Sequence, residues 1–416
     1  MPDAGERALL VGLALGGRQR ARAESSLEEL ALLARSAGAR VVGTLVQERA
    51  RRDPATLIGR GKVEEVKRLS EELEADTLFF DEDLAPAQQR NLERAVERKT
   101  LDRTQLILDI FARRARTREG RLQVELAQLD YLLPRLSGKG VLLSRLGGGI
   151  GTRGPGETKL ETDRRRIRQR IQSIRREIEH VRRERLTRRE ARGRRETPVV
   201  ALVGYTNAGK STLFNALTRG GAAVSGQLFV TLDPLVRRVR LGPGRDLFLV
   251  DTVGFIQKLP HSLVAAFRAT LEEVKEADLL LHVVDASSPG VEEREAAVEA
   301  VLREIGARDR PWLVVLNKTD ATPPERCSAL LAARPGAVAV SALDGGGLDR
   351  LLAAVAKHLD LTPRRVRLSF AAGDRRGVSG VYAAGRVLAH EVVDGRAVLD
   401  AEMPGRALER YREHIE

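Results

Sequence analysis

Apolar and polar positions change rhythm several times along the 416 residues, and each rhythm predicts a different kind of element. Over residues 1–103, β-rich runs at Ala8–Leu15, Val41–Gln47 and Thr77–Asp81 alternate with Ser25–Ala37, Lys62–Ala75 and Ala85–Glu97, where apolar residues recur at helical spacing. Such alternation predicts a small parallel α/β domain. Ser25 or Ser26, followed by Glu28 and Glu29, supplies an N-cap signal for the first helix.

The rhythm then becomes heptad-like. Leu122, Leu126, Leu129, Leu133 and Leu136 step by 4, 3, 4 and 3, and Leu160, Ile167, Ile171, Ile174, Ile178 and Val181 resume the pattern. Each set forms one narrow stripe on a helix, suited to packing against a partner stripe. Between them, residues 137–159 hold Gly138, Gly140, Gly147, Gly148, Gly149, Gly151, Gly154, Gly156 and Pro155, a density no helix survives. The expectation for 104–196 is a long antiparallel helical hairpin with a glycine-rich tip loop. A coiled coil between two chains is the alternative; the short connection makes the intramolecular partner effectively more concentrated, so a monomer is expected.

From 197 to 360 the apolar runs become continuous. Pro198–Val203, Leu247–Asp251, Leu279–Val284 and Trp312–Leu316 read as strands buried on both faces, alternating with helices in a doubly wound sheet. The tail, 361–416, reads as a small α+β domain. Asp394-Gly395 between Val387–Val393 and Ala397–Met403 is a hairpin signal, and Arg406–His414 reads as helix.

Composition narrows the setting. The one cysteine, Cys327, allows no intramolecular disulfide, which fits a reducing compartment. The apolar run Ala8–Leu15 is short, holds Gly12 and lacks a cleavage site, and no later segment is long and apolar enough for a membrane span, so a cytoplasmic protein without stable membrane insertion is expected. The net charge of +13 is uneven: between Leu160 and Arg195, 15 arginines face 6 carboxylates. That concentration points to a polyanion.

Four segments carry the chemistry. Gly204-Tyr205-Thr206-Asn207-Ala208-Gly209-Lys210-Ser211 follows a buried strand, the context of a P-loop. Its glycines let backbone N–H groups approach phosphates, and the helix that follows adds its positive end. Lys210 is placed to bridge the β- and γ-phosphates and Ser211 to ligate Mg²⁺. Asp251 of Asp251-Thr252-Val253-Gly254 would hold the metal through water, with the Gly254 N–H on the γ-phosphate. Thr231, within Phe229-Val230-Thr231-Leu232-Asp233, is the candidate for a mobile metal-binding threonine. Asp320 of Asn317-Lys318-Thr319-Asp320 can accept from guanine N1–H and the 2-amino group. Adenine presents no such pair, and an unpaired buried acceptor costs about 1–3 kcal/mol. Ser341-Ala342, with Leu343 beside it, would complete the base site. The reading is a GTPase binding GTP and GDP, with Lys210, Thr231, Gly254 and Asn207 as its catalytic group. Where many GTPases carry a water-orienting Gln after the Asp-x-x-Gly glycine, Phe255 and Ile256 stand here, so slow intrinsic hydrolysis is expected. Asn207 occupies the position of the asparagine that helps hold potassium in cation-dependent GTPases, so K⁺ joins Mg²⁺ as an expected cofactor.

These features together resemble the HflX family of ribosome-associated GTPases. The resemblance rests on Gly147 to Arg165 (GGGIGTRGPGETKLETDRR), Asp102-Arg103-Thr104, Leu122 to Leu129 (LQVELAQL) and Phe229 to Pro234 (FVTLDP), and runs from about residue 40 to 360. It implies binding to the large ribosomal subunit and its rRNA, with the N-terminal domain and hairpin near the peptidyl-transferase region, and GTP-dependent splitting of stalled or idle ribosomes under stress. Family N-terminal domains have been linked to ATP; Gly59-Arg60-Gly61-Lys62 here lacks a full phosphate-loop pattern. Lys139, Arg145, Arg153 and Lys159 in the tip, with Arg164, Arg165 and Arg168 on the second helix, are the candidate rRNA contacts. At 3% aromatic residues, recognition of shape and phosphate is expected rather than base stacking, and no DNA partner. A GTPase of ribosome assembly or RNA modification, an RNA-binding module with a vestigial site, and a membrane-protein adaptor are the rival readings, ranked in that order.

Overall fold

The computed structural model describes residues 5–16, 19–136, 159–193, 197–218, 228–229, 231–258, 268–371 and 373–416. They form two compact units: Met1–Glu184 with Ser225–Leu232 and Gln257–Arg268, and Arg185–Val224 with Asp233–Ile256 and Ala269–Glu416.

In the first unit, strands β1 (Arg7–Leu15), β2 (Arg40–Arg49), β3 (Thr77–Phe80) and β4 (Lys99–Asp102) make a parallel sheet in the order β2-β1-β3-β4. Helices α1 (Arg20–Ser36), α2 (Arg60–Glu72), α3 (Pro86–Val96) and α4 (Arg103–Arg114) accompany it. Residues Ala8 to Val11 of β1 are all buried because both faces are covered. Leu9, Val11 and Leu13 pack with Val63 and Val66 of α2 and Leu92 and Val96 of α3. On the opposite face, a Cβ at Gly12 would lie 3.0 Å from Leu27 of α1, so the helix rides close over that glycine. The first helix starts earlier than its expected cap. Gln19 precedes it without a side-chain cap, and Ser26, inside the helix, donates from its hydroxyl to Asp81 at 2.7 Å instead. Asp102, buried at the end of β4, caps α4 by accepting from the Gln105 N–H at 2.9 Å.

Helix α5 (Arg118–Arg135), capped by the Thr117 hydroxyl, and helix α6 (Lys159–Gly193) carry the two heptad stripes. Leu122, Ile171 and Ile174 are buried, while Leu126, Leu129, Leu133, Ile167 and Ile178 are half-buried. Glu125 receives a two-pronged bond from Arg170 at 2.7 and 2.8 Å, and Arg118 lies 3.5 Å from Glu177. Early residues of α5 thus meet late residues of α6, the antiparallel arrangement of a hairpin. Arg135, at the end of α5, stacks over Tyr131 and bonds the Leu84 carbonyl and Asp102 at 2.8 and 3.1 Å.

In the second unit, strands β5 (Val199–Gly204), β6 (Leu235–Arg240), β7 (Asp246–Asp251), β8 (Leu279–Asp285), β9 (Trp312–Asn317) and β10 (Val338–Ala339) form one sheet, ordered β10-β9-β8-β5-β7-β6. Only the β6–β7 pair is antiparallel. Helices α7 (Lys210–Thr218), α8 (Arg268–Glu276), α9 (Val291–Glu304), α10 (Pro324–Ala332) and α11 (Leu348–His358) intervene, as a doubly wound P-loop GTPase fold requires. A C-terminal antiparallel sheet, β11 (Pro363–Ala371), β13 (Arg396–Pro404) and β12 (Arg386–Val393), follows in that order. Asp394 and Gly395, both at positive φ (49° and 73°), make the β12–β13 turn. Helix α12 (Arg375–Ala384) covers the sheet, with Val381 packed among Leu368, Phe370 and Leu399. The expected Arg406–His414 helix is one α-helical turn, Gly405–Leu408, followed over Glu409–His414 by 3-10 turns broken by a kink at Tyr411. No helix among the described residues is long and apolar enough to cross a membrane.

Candidate functional site

The P-loop leaves β5 at Gly204, where φ is +150° and a Cβ would collide with the Val283 carbonyl of the neighbouring strand. Gly209, at φ +89°, has no room for a Cβ against the Asn317 amide. Asn207 adopts φ 60° with its side chain exposed. These backbone choices start α7 at Lys210, and Lys210 itself is buried, with its Nζ donating to the Gly204 and Tyr205 carbonyls at 3.0 and 2.8 Å. Burial lowers its pKa to about 8, a fall that Asp251 opposes. An amine held among backbone dipoles with its charge made costly is primed for an anion.

Asp251 ends β7 fully buried, and the Ser211 hydroxyl donates to its carboxylate at 2.7 Å. Thr252 is tied through its hydroxyl to the Leu202 carbonyl at 2.6 Å. Phe255 then crosses back to the P-loop, its carbonyl accepting from Thr206 N–H at 2.7 Å and its N–H donating to the Gly204 carbonyl at 3.1 Å. Gly254 is consequently pressed against the loop: a Cβ there would lie 2.8 Å from the Thr206 Cα and 2.9 Å from the Lys210 amine. A hydroxyl and a carboxylate, both hard oxygen donors, fit Mg²⁺ in chemistry. Among the described residues no cluster of three or more His, Cys, Asp or Glu forms a separate metal site.

Asn317 joins the two halves of the pocket. Its amide donates to the Ala208 carbonyl at 2.9 Å and its oxygen accepts from the Ala342 N–H at 3.0 Å. Lys318 takes φ 62° and pairs with Asp285 at 2.7 Å, and Thr319 N–H reaches the Val340 carbonyl at 3.3 Å. Asp320 is exposed, with one carboxylate oxygen fixed by the Ser341 hydroxyl at 2.7 Å. Ser341 and Ala342 are buried beneath it, and Leu343 stands 79% exposed beside it, an apolar surface without cover.

The structure therefore brings Gly204 to Ser211, Asp251 to Gly254, Asn317 to Asp320 and Ser341 to Leu343 into one region of the second unit. Phe229, Thr231 and Leu232 belong to the first unit, while Asp233 belongs to the second; Val230 lies outside the described residues. Phe229 is buried edge-on against Phe111, ring centroids 4.6 Å apart. Of the expected rRNA contacts, Lys139, Arg145 and Arg153 lie outside the described residues, and Lys159 opens α6. Arg165 and Arg168 are exposed on α6, and Arg164 is half-buried there.

Three side chains around the pocket were not foreseen. Asp285 holds Lys318, and its place at the end of an apolar strand was the available signal. Arg294 lies over the Tyr205 ring at 5.3 Å. His282, inside β8, is buried and stacked on Trp312 at 5.6 Å, and burial lowers its pKa to about 4. It lines a cavity of about 10 Å³ with Thr206 and Glu295. An isolated histidine in an apolar strand reads as core, so no pattern marks it.

Comparison with known proteins agrees with this geometry. Residues 24–112 match the family described as GTP-binding GTPase N-terminal, residues 114–192 the GTP-binding GTPase Middle Region, and residues 199–318 the 50S ribosome-binding GTPase. The protein named GTPase HflX from Caldanaerobacter subterraneus subsp. tengcongensis is 47% identical over 99% of this chain and 94% of its own. The GTPase HflX of Alkalihalophilus pseudofirmus is 53% identical over 76% of this chain and 74% of its own. That of Escherichia coli is 46% identical over 86% of this chain and 84% of its own. Among solved structures, a GTP-binding protein from the archaeon Sulfolobus solfataricus in complex with GDP aligns at 26% identity and a TM-score of 0.45, covering 85% of this chain and 98% of that one.

Proposed function

The chain belongs to the HflX family of GTPases, and from that premise we propose that it binds the large ribosomal subunit, hydrolyses GTP there and splits stalled or idle ribosomes under stress. The observation that carries the reading is the assembled nucleotide pocket: a buried Lys210 facing its own loop, the Ser211–Asp251 pair, and Asn317 bonding the P-loop to the segment that carries the base-reading Asp320. A vestigial site would have no reason to keep a buried, desolvated lysine.

In this reading the P-loop amides and Lys210 hold the β- and γ-phosphates, the Gly254 N–H meets the γ-phosphate, and Asp320 selects guanine. Ser211, Thr231 and, through water, Asp251 would hold Mg²⁺, which supplies positive charge against the phosphate oxygens. Asn207 is the residue that would favour K⁺; equal turnover in potassium and sodium buffers removes that part. Arg164, Arg165 and Arg168 would follow rRNA phosphates, with Lys139, Arg145, Arg153 and Lys159 at the tip. Phosphate recognition of this kind weakens steeply with salt.

The test is GTP turnover with purified large subunits, comparing the full chain with one lacking residues 143–159. The expected result is stimulation of the full chain and none of the deletion, with GTP binding retained by both. Stimulation that survives the deletion removes the tip from the function. Co-sedimentation only with precursor particles would turn the reading towards ribosome assembly.

A further inference from the structure

The P-loop starts beside a strand that carries a buried histidine. Val203 and Gly204, at the end of β5, register with His282 and Val283 of β8. Thr206, two residues on, is 5% exposed, and its N–H donates to the Phe255 carbonyl at 2.7 Å. Its methyl is turned to Gly254, where an added Cβ would lie 2.8 Å from it. The hydroxyl is the other branch of the same carbon; it is buried and finds no partner among the described residues. A polar group buried in that way is costly, and folded proteins satisfy nearly all of them.

Thr206 shares the lining of a cavity of about 10 Å³ with His282 of β8 and Glu295 of α9. That volume suits one water molecule, which needs about 10–15 Å³ and two to four polar partners. Three are at hand. His282 is 2% exposed, and burial lowers its pKa to about 4, so at pH 7 its ring is neutral and offers one N–H and one bare nitrogen. Glu295 is fixed by Arg334, which donates to its two carboxylate oxygens at 2.9 and 2.6 Å and leaves each able to accept again. The Thr206 hydroxyl is the third. Asp285 and Arg294 also line the cavity, but Asp285 already accepts from Lys318 and Ser287, and Arg294 lies over the Tyr205 ring.

We propose that one buried water bridges the Thr206 hydroxyl, the His282 ring and the Glu295 carboxylate, and that His282 is through it a positioning residue for the P-loop. The water accepts from the hydroxyl and from the imidazole N–H, and donates to the carboxylate. Thr206 is then pinned twice, by its N–H on the Phe255 carbonyl and by its side chain on β8 and α9. That fixes the direction of the amides that follow it, which are the ones a phosphate must meet. A loop already in its bound shape loses less freedom when nucleotide arrives, so the bridge strengthens binding without touching the ligand. The inference rests on the guanine-nucleotide reading above and adds what keeps its phosphate loop in shape.

The test reads both the water and its effect, on the full chain. With the histidines labelled in ¹⁵N, the His282 ring should show magnetisation transfer from a long-lived water, and Thr206→Val should shift its ring-nitrogen resonances. Thr206→Val should also release fluorescent GDP roughly five-fold faster or more, the lower range for a buried polar group left unpaired. Thr206→Ser keeps the hydroxyl and should restore both readings. His282→Phe keeps an aromatic ring against Trp312 but cannot hydrogen-bond, and should release GDP as Thr206→Val does; the double variant should be no faster than either single one. No water signal at the ring of the unsubstituted chain overturns the bridge while leaving the nucleotide site standing. So does release unchanged in Thr206→Val, or release as fast in Thr206→Ser as in Thr206→Val. Failure of the unsubstituted chain to bind GDP overturns the site itself.

Discussion

Lys210 offers the most direct physical test of the pocket, because its charge is costly until a phosphate arrives. Burial lowers its pKa from 10.5 to about 8, and the attraction of Asp251 only partly offsets the lost hydration. At pH 8 the amine is then protonated in about half of the molecules, whereas the bound phosphates keep it protonated in nearly all. Binding must therefore draw in about half a proton at pH 8, about 0.1 at pH 7 and about 0.9 at pH 9. Affinity falls accordingly by about tenfold between pH 7 and pH 9. The assay is calorimetry of GDP binding with Mg²⁺ in two buffers of different ionisation enthalpy, above the range where the nucleotide phosphates titrate. Lys210→Arg supplies the control, since a guanidinium stays charged throughout and its proton uptake should vanish. No uptake at pH 8 would mean that the amine is already charged in the protein alone, and the priming argument would fail. Stability gives a second sign: a base whose folded pKa is lowered makes the unfolded chain the better proton binder between about 8 and 10.5, so without nucleotide the protein gains stability as pH rises through that window.

Other consequences follow from single contacts. Asp320→Asn removes the acceptor for guanine N1–H and 2-amino groups, so GTP affinity should fall by roughly tenfold or more, while xanthosine triphosphate, whose 2-oxo group accepts from the new amide, gains; unchanged GTP binding would place the base elsewhere. Trp312 is the one tryptophan, and it stacks on His282, whose pKa burial lowers to about 4, so acid quenching of intrinsic fluorescence should have its midpoint near there. A midpoint at 6.5 would show a hydrated imidazole. The same shift makes the unfolded chain take up the proton first, so stability falls with pH below 6.5, by up to about 3 kcal/mol towards pH 4. Ile174→Ala, at a fully buried position of α6, should cost about 2–5 kcal/mol of local stability, read as faster amide exchange along α5 and α6; an effect confined to α6 would argue against the hairpin.

What the sequence makes legible is what each residue needs locally. Gly204 and Gly209 sit where backbone and amide crowd out a Cβ, so their spacing announces a P-loop without reference to any distant residue. Asp394-Gly395 supplies both positive φ angles of its turn, and Leu122, Ile171 and Ile174 keep the heptad step because each stripe has one face to bury. Strands β4 and β6 hide for the opposite reason. The first is four residues containing Lys99, Thr100 and Asp102, and the second alternates Arg238 and Arg240 on the open side of a sheet edge, so neither shows an apolar run. Ser26 misled because a serine ahead of glutamates signals a cap, yet its hydroxyl answers to Asp81, 55 residues away. Lys258 is the extreme case. Nothing within its own neighbourhood distinguishes it from any exposed lysine, and its meaning comes from two carboxylates 176 and 177 residues earlier that converge on it only once β3 has taken its place in the sheet. Chemistry concentrated in a loop can thus be read from sequence, whereas a contact between remote segments is decided only by where the intervening strands place its partners.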